Sequence, residues 1–446
     1  MIKSLYQRPS NEKVIEIEIG QQTKLQTLCV IYNNQGEVIY EMHGKQLRKM
    51  NDINAQIFKN IEQIQNLEWK GDLKDSIKQI GEWKAFWQNS PLYQRVMYNT
   101  NGRKEGLCHE VFSSFTKQNY LVESGIYKDG IRVGKWMTNK FLWIGQSYVG
   151  QQLLNKGIYN GKGQKIRRWI ELHPEFSKNL LLIYKGRYFD DVKNGIWWTK
   201  FKYFSENSYS TIGGGTYVNG LKNGYWIDTC QYFNNLMQFL ESGTYNQGVR
   251  TGIWTIKNNG KNLEKLHFPN MIYDENGQKQ GIWMEISKYL IQSEKLVTFI
   301  VLQGCYVDGE KDEYWDILLF INNQIRQKGG GRYNQGKKVG KWKELELQND
   351  QFWRIEQGEY KDGKKYGLWE SFPLNYRRNW DTNTSSSINT ELFPTRIIGT
   401  FNQNGKEEGC WMYLNETDQY NKFNCLNLQR VEFINGIKKI NYQKTF

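Results

Sequence analysis

The chain has 446 residues, with 42 glycines, 28 tyrosines and 17 tryptophans but only 6 prolines, and a formal net charge of +14 at pH 7. Alanine, the strongest helix former, occurs only at Ala55 and Ala85, which argues against a mostly helical protein. Abundant aromatic residues punctuated by glycine favour short strands and turns, and the basic balance favours anionic partners.

Residues 1–68 differ from the rest of the sequence. VIEIEI, LQTLCVIYN and EVIYEM have strand patterns, with a turn at Asn34-Gln35-Gly36. Four isoleucines then recur at helical spacing and predict one amphipathic helix: Ile53, Ile57, Ile61 and Ile64. Because stacked arrays need a cover over their first strand, this region is interpreted as a small α+β cap. A dedicated partner-docking module is the alternative.

Residues 69–446 repeat one pattern about thirteen times, with most copies 27 to 33 residues apart. GRYNQGKKVGKW, from Gly331 to Trp342, is one copy. The central Asx-Gly or Gln-Gly pair supplies the positive φ values of a tight turn, so each copy is predicted to be a β-hairpin. Residues two apart in a strand share a face, and the glycine of G-x-W, such as Gly134, is expected to leave room for a neighbouring aromatic ring.

A lone hairpin is marginal in water, so the hairpins are expected to stack. The predicted fold is all-β, an elongated, twisted antiparallel meander of stacked hairpins behind the N-terminal cap. The tyrosine and tryptophan of each copy are interpreted as structural anchors, in preference to a platform that stacks RNA bases. The anchors are Tyr127, Trp136, Tyr188, Trp197, Tyr217, Trp226, Tyr245, Trp254, Tyr306, Trp315, Tyr333, Trp342, Tyr360 and Trp369.

A polar insertion at residues 371–398 widens one interval between tryptophans from 27 to 42 residues. It contains DTNTSSSINT, which has no strand pattern. A flexible surface loop is expected, and a regulatory or phosphorylated loop is the alternative.

The stretch from Gly331 also reads G-x-x-x-x-G-K-K, one hydroxyl short of a phosphate-binding loop. The same letters recur from Gly358, and other copies keep the glycines while the residues after them change. Because each copy leads into a G-x-W strand and not a helix, these glycines are interpreted as hairpin residues.

A basic residue stands four positions before the anchor in eleven of thirteen copies, and only Gln79 and Glu407 break the rule. Such side chains are predicted to project from the turns as a basic row, which would face anionic lipids or proteins. A solvated edge that discourages sheet aggregation is the competing interpretation. The row comprises Lys104, Arg132, Lys165, Lys193, Lys222, Arg250, Lys279, Lys311, Lys338, Lys365 and Lys438.

The pattern Y-x-G-x-Y-x-x-G-x-x-x-G, as in YKGRYFDDVKNG from Tyr184 to Gly195, resembles the MORN repeat. It is also similar to repeats of bacterial YwqK-type antitoxin-like proteins and, most closely, to long arrays in protists. The match covers about four-fifths of the chain. The period is longer than that of MORN repeats, and tryptophan stands where those usually carry a second glycine. The resemblance implies a rod-like scaffold or interaction module.

The sequence has no signature of catalysis or metal binding: six scattered cysteines and four lone histidines never reach metal-ligand spacing. No enzyme activity, cofactor or metal is therefore expected. The absence of a signal-peptide core and of a long apolar run predicts a cytoplasmic protein. The MORN resemblance implies a cytoskeletal or membrane-cortical placement. Other proteins are the expected partners. Acidic phospholipids, a second copy of the chain, or an antitoxin-like or nucleic-acid-associated role are alternatives, and nucleic acid is the least favoured.

Overall fold

The computed structural model shows a protein built almost entirely of antiparallel β-strands. It describes residues 13–21, 24–32, 37–42, 45–50, 60–74, 78–144, 147–203, 206–231, 233–259, 268–293, 296–321, 324–348, 352–373, 396–416 and 426–445. The chain divides into two compact parts, Met1–Val249 and Arg250–Phe446, called here the N-terminal body and the C-terminal body.

The N-terminal body begins with a separate four-stranded sheet and one short helix. The sheet runs in chain order through β1 (Lys13–Gln21), β2 (Lys24–Tyr32), β3 (Val38–Met42) and β4 (Lys45–Met50), and the helix is α1 (Ile61–Asn66). Asn60 caps α1 by accepting hydrogen bonds from the backbone N–H groups of Glu62 and Gln63. Ile61 and Ile64 pack with Leu28 and Tyr40 of the sheet. The predicted turn at residues 34–36 and the predicted helical positions Ile53 and Ile57 lie outside the described residues.

A long antiparallel meander comes next, with two strands for each copy of the sequence pattern. In the N-terminal body its strands are β5 (Leu67–Lys74), β6 (Lys78–Trp87), β7 (Ser90–Tyr98), β8 (Gly106–Val111), β9 (Leu121–Lys128), β10 (Ile131–Ile144), β11 (Ser147–Tyr159), β12 (Lys165–Leu172), β13 (Leu182–Phe189), β14 (Val192–Phe201), β15 (Ser210–Val218), β16 (Leu221–Thr229) and β17 (Phe239–Asn246).

The C-terminal body continues the same arrangement. Its strands are β18 (Val249–Asn258), β19 (Met271–Tyr273), β20 (Lys279–Ser293), β21 (Leu296–Val307), β22 (Glu310–Ile321), β23 (Gln324–Asn334), β24 (Lys337–Gln348), β25 (Phe352–Lys361), β26 (Lys364–Pro373), β27 (Arg396–Phe401), β28 (Glu407–Glu416), β29 (Leu426–Ile434) and β30 (Ile437–Thr445). Within each body every strand of the meander pairs with the next one along the chain. The prediction of an all-β antiparallel meander is confirmed. Most of the polar insertion, residues 374–395, lies outside the described residues.

The hairpin of β13 and β14 shows how one copy of the pattern folds. Arg187 lies opposite Asn194, and Lys185 lies opposite Trp198, so one residue of β13 faces three of β14. This bulge contains Gly195, the glycine of G-x-W, whose φ of +68° lies in the left-handed region that glycine favours. The second glycine of the pattern therefore turns the backbone.

From the sequence, the second glycine of the pattern, that of G-x-W, is expected to leave room for an aromatic ring. In the structure the first glycine of the pattern does so. A Cβ built on Gly186 would lie 2.2 Å from Cδ2 of Trp197, whereas one on Gly195 would meet nothing within 4 Å. The indole thus covers the backbone of the preceding strand, and on its other side Trp197 lies in register with Gly215 of β15. Each tryptophan of this kind sits between two strands whose glycines have no side chain to obstruct it.

Tyrosines and tryptophans alternate into one continuous column of edge-to-face contacts in each body. In the N-terminal body the column runs from Tyr127 to Tyr245, with ring centroids 4.9–6.2 Å apart. In the C-terminal body it runs from Trp254 to Phe433, with centroids 5.0–6.2 Å apart. Edge-to-face geometry is the arrangement that aromatic quadrupoles prefer. The seven tryptophans predicted as anchors are at most 3% exposed.

Candidate functional site: the cation ladder and the outer face

The predicted basic row lies against the aromatic column and does not project from the turns. Most of these cations face the tyrosine of their own hairpin across the two strands, as Lys193 faces Tyr188 and Lys338 faces Tyr333, whereas Lys438 faces Phe433. Cross-strand partners share a face, so the cation lies on the same face of the sheet as the tryptophan. We call this face the inner face and the row of cations on it the cation ladder.

The ladder cations lie over the tryptophan rings of their own hairpins. The nine that do so have charge centres 3.9–4.7 Å from the ring centroid: Arg132, Lys165, Lys193, Lys222, Arg250, Lys279, Lys311, Lys338 and Lys365. Cations at this distance are attracted by the negative face of the ring. The ion-paired members expose only 19–32% of their side chains. Lys438 is exposed.

From the hairpin of Cys108 to that of Trp342, a carboxylate stands two residues after the anchor position in every second hairpin, which the sequence reasoning missed; after Trp411 the same position holds Tyr413. These residues are Glu110, Glu171, Asp228, Glu285 and Glu344. The intervening hairpins carry Thr138, Thr199, Ile256, Ile317 and Ser371 at the same position. The true structural period is therefore two hairpins, with one buried acid for each pair of ladder cations.

Glu171 shows the arrangement in detail. It accepts a hydrogen bond from Lys165 of its own hairpin at 2.6 Å, lies 3.1 Å from the ammonium of Lys193 of the next hairpin, and accepts a hydrogen bond from the Tyr188 hydroxyl at 2.8 Å. Burial alone would raise the pKa of Glu171, but Lys165 and Lys193 outweigh it and hold the pKa below its ordinary value. Burial, and then the negative charge of Glu171, raise the pKa of Tyr188.

The same set of contacts recurs along both bodies. Glu285 contacts Lys279, lies 3.2 Å from Lys311 and accepts from the Tyr306 hydroxyl at 2.9 Å. Glu344 contacts Lys338, lies 3.8 Å from Lys365 and accepts from the Tyr360 hydroxyl at 3.1 Å. Internal carboxylates thus partly balance the ladder charge. Binding of an external anion by the ladder stays a prediction.

The ladder also holds successive turns together through its backbone. The N–H of Gly220 in one turn donates to the carbonyl of Lys193 in the preceding hairpin at 3.0 Å, and Gly248 donates to Lys222 at 2.8 Å. The turns of the C-terminal body repeat this bond, for example from Gly336 to Lys311 at 2.8 Å. Each of these residues therefore contributes to stacking through both its side chain and its carbonyl group.

A small cavity of about 120 Å³ opens on the inner face of the C-terminal body, between Trp315, Trp342 and Glu344. Ligand pockets typically measure about 300–1,000 Å³, so this cavity is smaller than a usual cofactor site. Among the described residues, no three His, Cys, Asp or Glu side chains are grouped to hold a metal ion. The inner face is thus a packed interior in which ladder cations contact carboxylates.

The opposite side of the sheet, the outer face, carries large apolar side chains in contact with solvent. In the C-terminal body Ile253, Ile272, Ile282 and Tyr314 are 45–62% exposed. Ile253 and Ile272 are direct cross-strand partners, and Ile282 is the partner of Cys305. An antiparallel sheet with one solvated face usually places polar residues there. We call these four residues the apolar file.

Comparison with known proteins identifies no relative. No model of a known protein family matches the chain, and a search of curated proteins gives no match. In the part of the chain that the structure describes, no helix has the length and apolarity needed to cross a membrane.

Proposed function

We propose that the protein is a non-enzymatic repeat scaffold that binds other proteins on the outer face of its sheet. The observation that carries this proposal is the apolar file, since large apolar side chains exposed together on one face of a sheet mark interaction sites in soluble proteins. The MORN-like sequence pattern agrees with such a role, and we extend the proposal to a cytoskeletal or membrane-cortical placement on that resemblance alone.

The inner and outer faces differ in which side chains remain in contact with solvent. On the inner face, tryptophans are buried and the ladder cations contact carboxylates such as Glu171 and Glu285. On the outer face, Ile282 and Tyr314 keep 62% and 60% of their surface in water. Burial of such side chains by a partner releases about 25 cal/mol for each Å² removed from water. The outer face is therefore where association gains most.

Acidic-phospholipid binding through the cation ladder is the main alternative, and the contacts give it less support. A lipid headgroup would have to compete with carboxylates already at the ladder ammonium groups, such as Glu171 at 2.6 Å from Lys165. Flotation with acidic vesicles tests this alternative. The wild type is compared with a variant in which the charge is reversed at Lys193, Lys222, Lys311 and Lys365. Binding unchanged by reversal would exclude the ladder as the lipid site.

The scaffold proposal is tested by placing a charge in the apolar file. The full chain is immobilised, extracts of the source cells are passed over it, and the retained proteins are quantified by mass spectrometry. We expect Ile282→Asp to reduce specifically retained proteins by about tenfold, because a charge must then be desolvated on binding.

Thr400→Asp is the matched control, since it adds the same charge at another exposed position of the C-terminal body. Thermal melting verifies that both variants fold. Equal retention by Ile282→Asp and the wild type, or no protein retained above an empty matrix, would refute the proposal.

A further inference from the structure

In the N-terminal body, strands β10 to β15 carry basic residues and no acidic residue on their outer face. Across the six strands β10 to β15 the only acidic residue is Glu171, which lies on the inner face. Five exposed cations lie on the outer face of the first four of these strands: Lys135, Lys156, Arg168, Lys185 and Arg187. We call these five residues the outer basic patch.

Two members of the patch face each other directly. Arg168 of β12 and Arg187 of β13 are cross-strand partners. Like charges at such positions destabilise a sheet, since the Cβ atoms of cross-strand partners are about 4.5–5.5 Å apart. No described carboxylate lies within ion-pairing distance of any member of the patch. The fold therefore carries a charge repulsion that it does not itself relieve.

The C-terminal body treats equivalent positions differently. Arg332 of its outer face pairs with Glu313 at 3.3 Å, and Lys341 lies opposite Glu359. Lys341 occupies the same place in the pattern as Arg168, directly before the anchor tryptophan. Arg332 and Lys341 thus each have a glutamate paired with or opposite them, whereas no member of the outer basic patch has an acidic cross-strand partner.

Apolar side chains are interleaved with the cations along the same rows. One row across the strands contains Lys156, Ile170, Lys185 and Trp198, each in register with the next. Neighbouring strands lie about 4.8 Å apart, so cations and apolar groups alternate at that step. Trp198 is 42% exposed.

We propose that the outer basic patch binds an acidic polypeptide segment in which carboxylates alternate with apolar side chains. This inference rests on the proposed scaffold function and names the class of one partner. The carboxylates would relieve the repulsion between Arg168 and Arg187, whose guanidinium groups match carboxylate geometry. The apolar side chains would cover Ile170 and Trp198.

The interleaved groups favour a polypeptide over a nucleic acid. Proteins that hold single strands stack successive bases on aromatic rings, whereas Ile170 stands between the two lysines of the row. Aliphatic groups between cations complement a chain that itself alternates apolar and acidic side chains. Tighter binding of a nucleic acid or of an acidic membrane would therefore refute the proposal.

The test measures the affinity of the full chain for a labelled peptide that alternates glutamate and leucine, by fluorescence anisotropy at moderate salt. We expect Arg168→Gln combined with Arg187→Gln to raise the Kd about tenfold or more, because a charge-assisted contact is lost. Lys341→Gln combined with Lys343→Gln removes the same charge from the C-terminal body, and we expect less than about a twofold change. Should the arginine variant melt below the wild type, Lys135→Gln combined with Lys156→Gln replaces it.

Several results would overturn the inference. These are failure of the wild type to bind the peptide, equal effects of the two variant pairs, or equal affinity for a peptide that alternates glutamate and serine. Tighter binding of oligothymidine or phosphatidylserine vesicles at Arg168 and Arg187 would also overturn it. Because the scaffold function is tested with Ile282→Asp in the other body, failure of this inference can be distinguished from failure of the scaffold proposal.

Discussion

The indole of Trp197 lies across the backbone of Gly186, and a Cβ at Gly186 would fall within 2.2–2.4 Å of three atoms of the ring. The relationship recurs between Gly125 and Trp136 and between Gly331 and Trp342. Side chains in close-packed interiors have no room to yield by an ångström. The first glycine of each copy is thus fixed by the ring above it.

Gly186→Ala is expected to destabilise the protein by about 3 kcal/mol, because the new methyl group must displace a buried indole. Gly195→Ala meets open space but must adopt a φ of +68°, and about 1 kcal/mol is expected. Gly161→Ala meets neither obstacle and should change stability by less than about 0.5 kcal/mol. Urea unfolding followed by tryptophan fluorescence measures the loss in the free energy of unfolding for the three variants. An equal loss for Gly195→Ala and Gly186→Ala would contradict the expected order.

Removal of one buried carboxylate should leave two ladder cations without a counter-charge. Glu171→Gln is expected to cost about 2 kcal/mol at neutral pH, since Lys165 and Lys193 then repel each other in a half-buried site. Glu206→Gln, at an exposed glutamate, serves as the control for lost charge. Equal melting temperatures of the two variants would show that the carboxylate does not stabilise the stack.

The depressed pKa values of these carboxylates predict a loss of stability in acid. The ladder cations hold the pKa of Glu110, Glu171 and Glu285 below its ordinary value despite burial. Their stabilisation is present above the ordinary glutamate pKa and is lost as the pH falls through the folded-state pKa. Urea midpoints measured from pH 7 to pH 3 should therefore fall, and Glu171→Gln should flatten the decline. A decline that is unchanged in the variant would contradict this account.

His173 predicts a second, separate decline at higher pH. Burial lowers its pKa to about 4, and its Nδ1 accepts a hydrogen bond from the backbone N–H of Glu175 at 3.1 Å. An unfolded histidine titrates near about 6.5, so stability is complete above that pH and falls by about 3 kcal/mol as the pH drops to about 4.

His173→Gln, which can keep the acceptor, should remove this decline between about pH 6.5 and pH 5, above the range of the carboxylates. Chemical shifts of the imidazole protons measure its pKa directly. A midpoint near about 6.5 in the folded protein would show that the ring is not held neutral.

The orientation of the cation ladder could have been derived from the sequence by the alternation of side chains along a strand. Arg132 and Trp136 are four residues apart, which places them on one face of a strand. The sequence interpretation assigns the cation to the turn, where a side chain projects freely. The structure begins the second strand at Ile131, three residues before the glycine of G-x-W, so Arg132 already lies within the sheet.

The fold could be predicted from the sequence because glycine, tyrosine and tryptophan recur at fixed places in most copies. The carboxylates from Glu110 to Glu344 recur only in alternate copies, so alignment on single copies concealed them. The sequence does contain this pattern, since Glu285 and Glu344 both stand two residues after a tryptophan. The sequence could not predict that Arg168 and Arg187 face each other, because this depends on the strand register, which no local pattern supplies.

The two-hairpin period also limits how such a protein can change in length. Successive acids are separated by 61, 57, 57 and 59 residues, from Glu110 through Glu171, Asp228 and Glu285 to Glu344. Deletion of one hairpin would bring two acid-bearing hairpins together, or leave two cations without an acid between them. Insertion or loss of a pair would preserve every contact of the ladder. The repeating unit of the ladder from Glu110 to Glu344 is therefore the pair of hairpins, and we expect length changes in this part of the array to come in even numbers of hairpins.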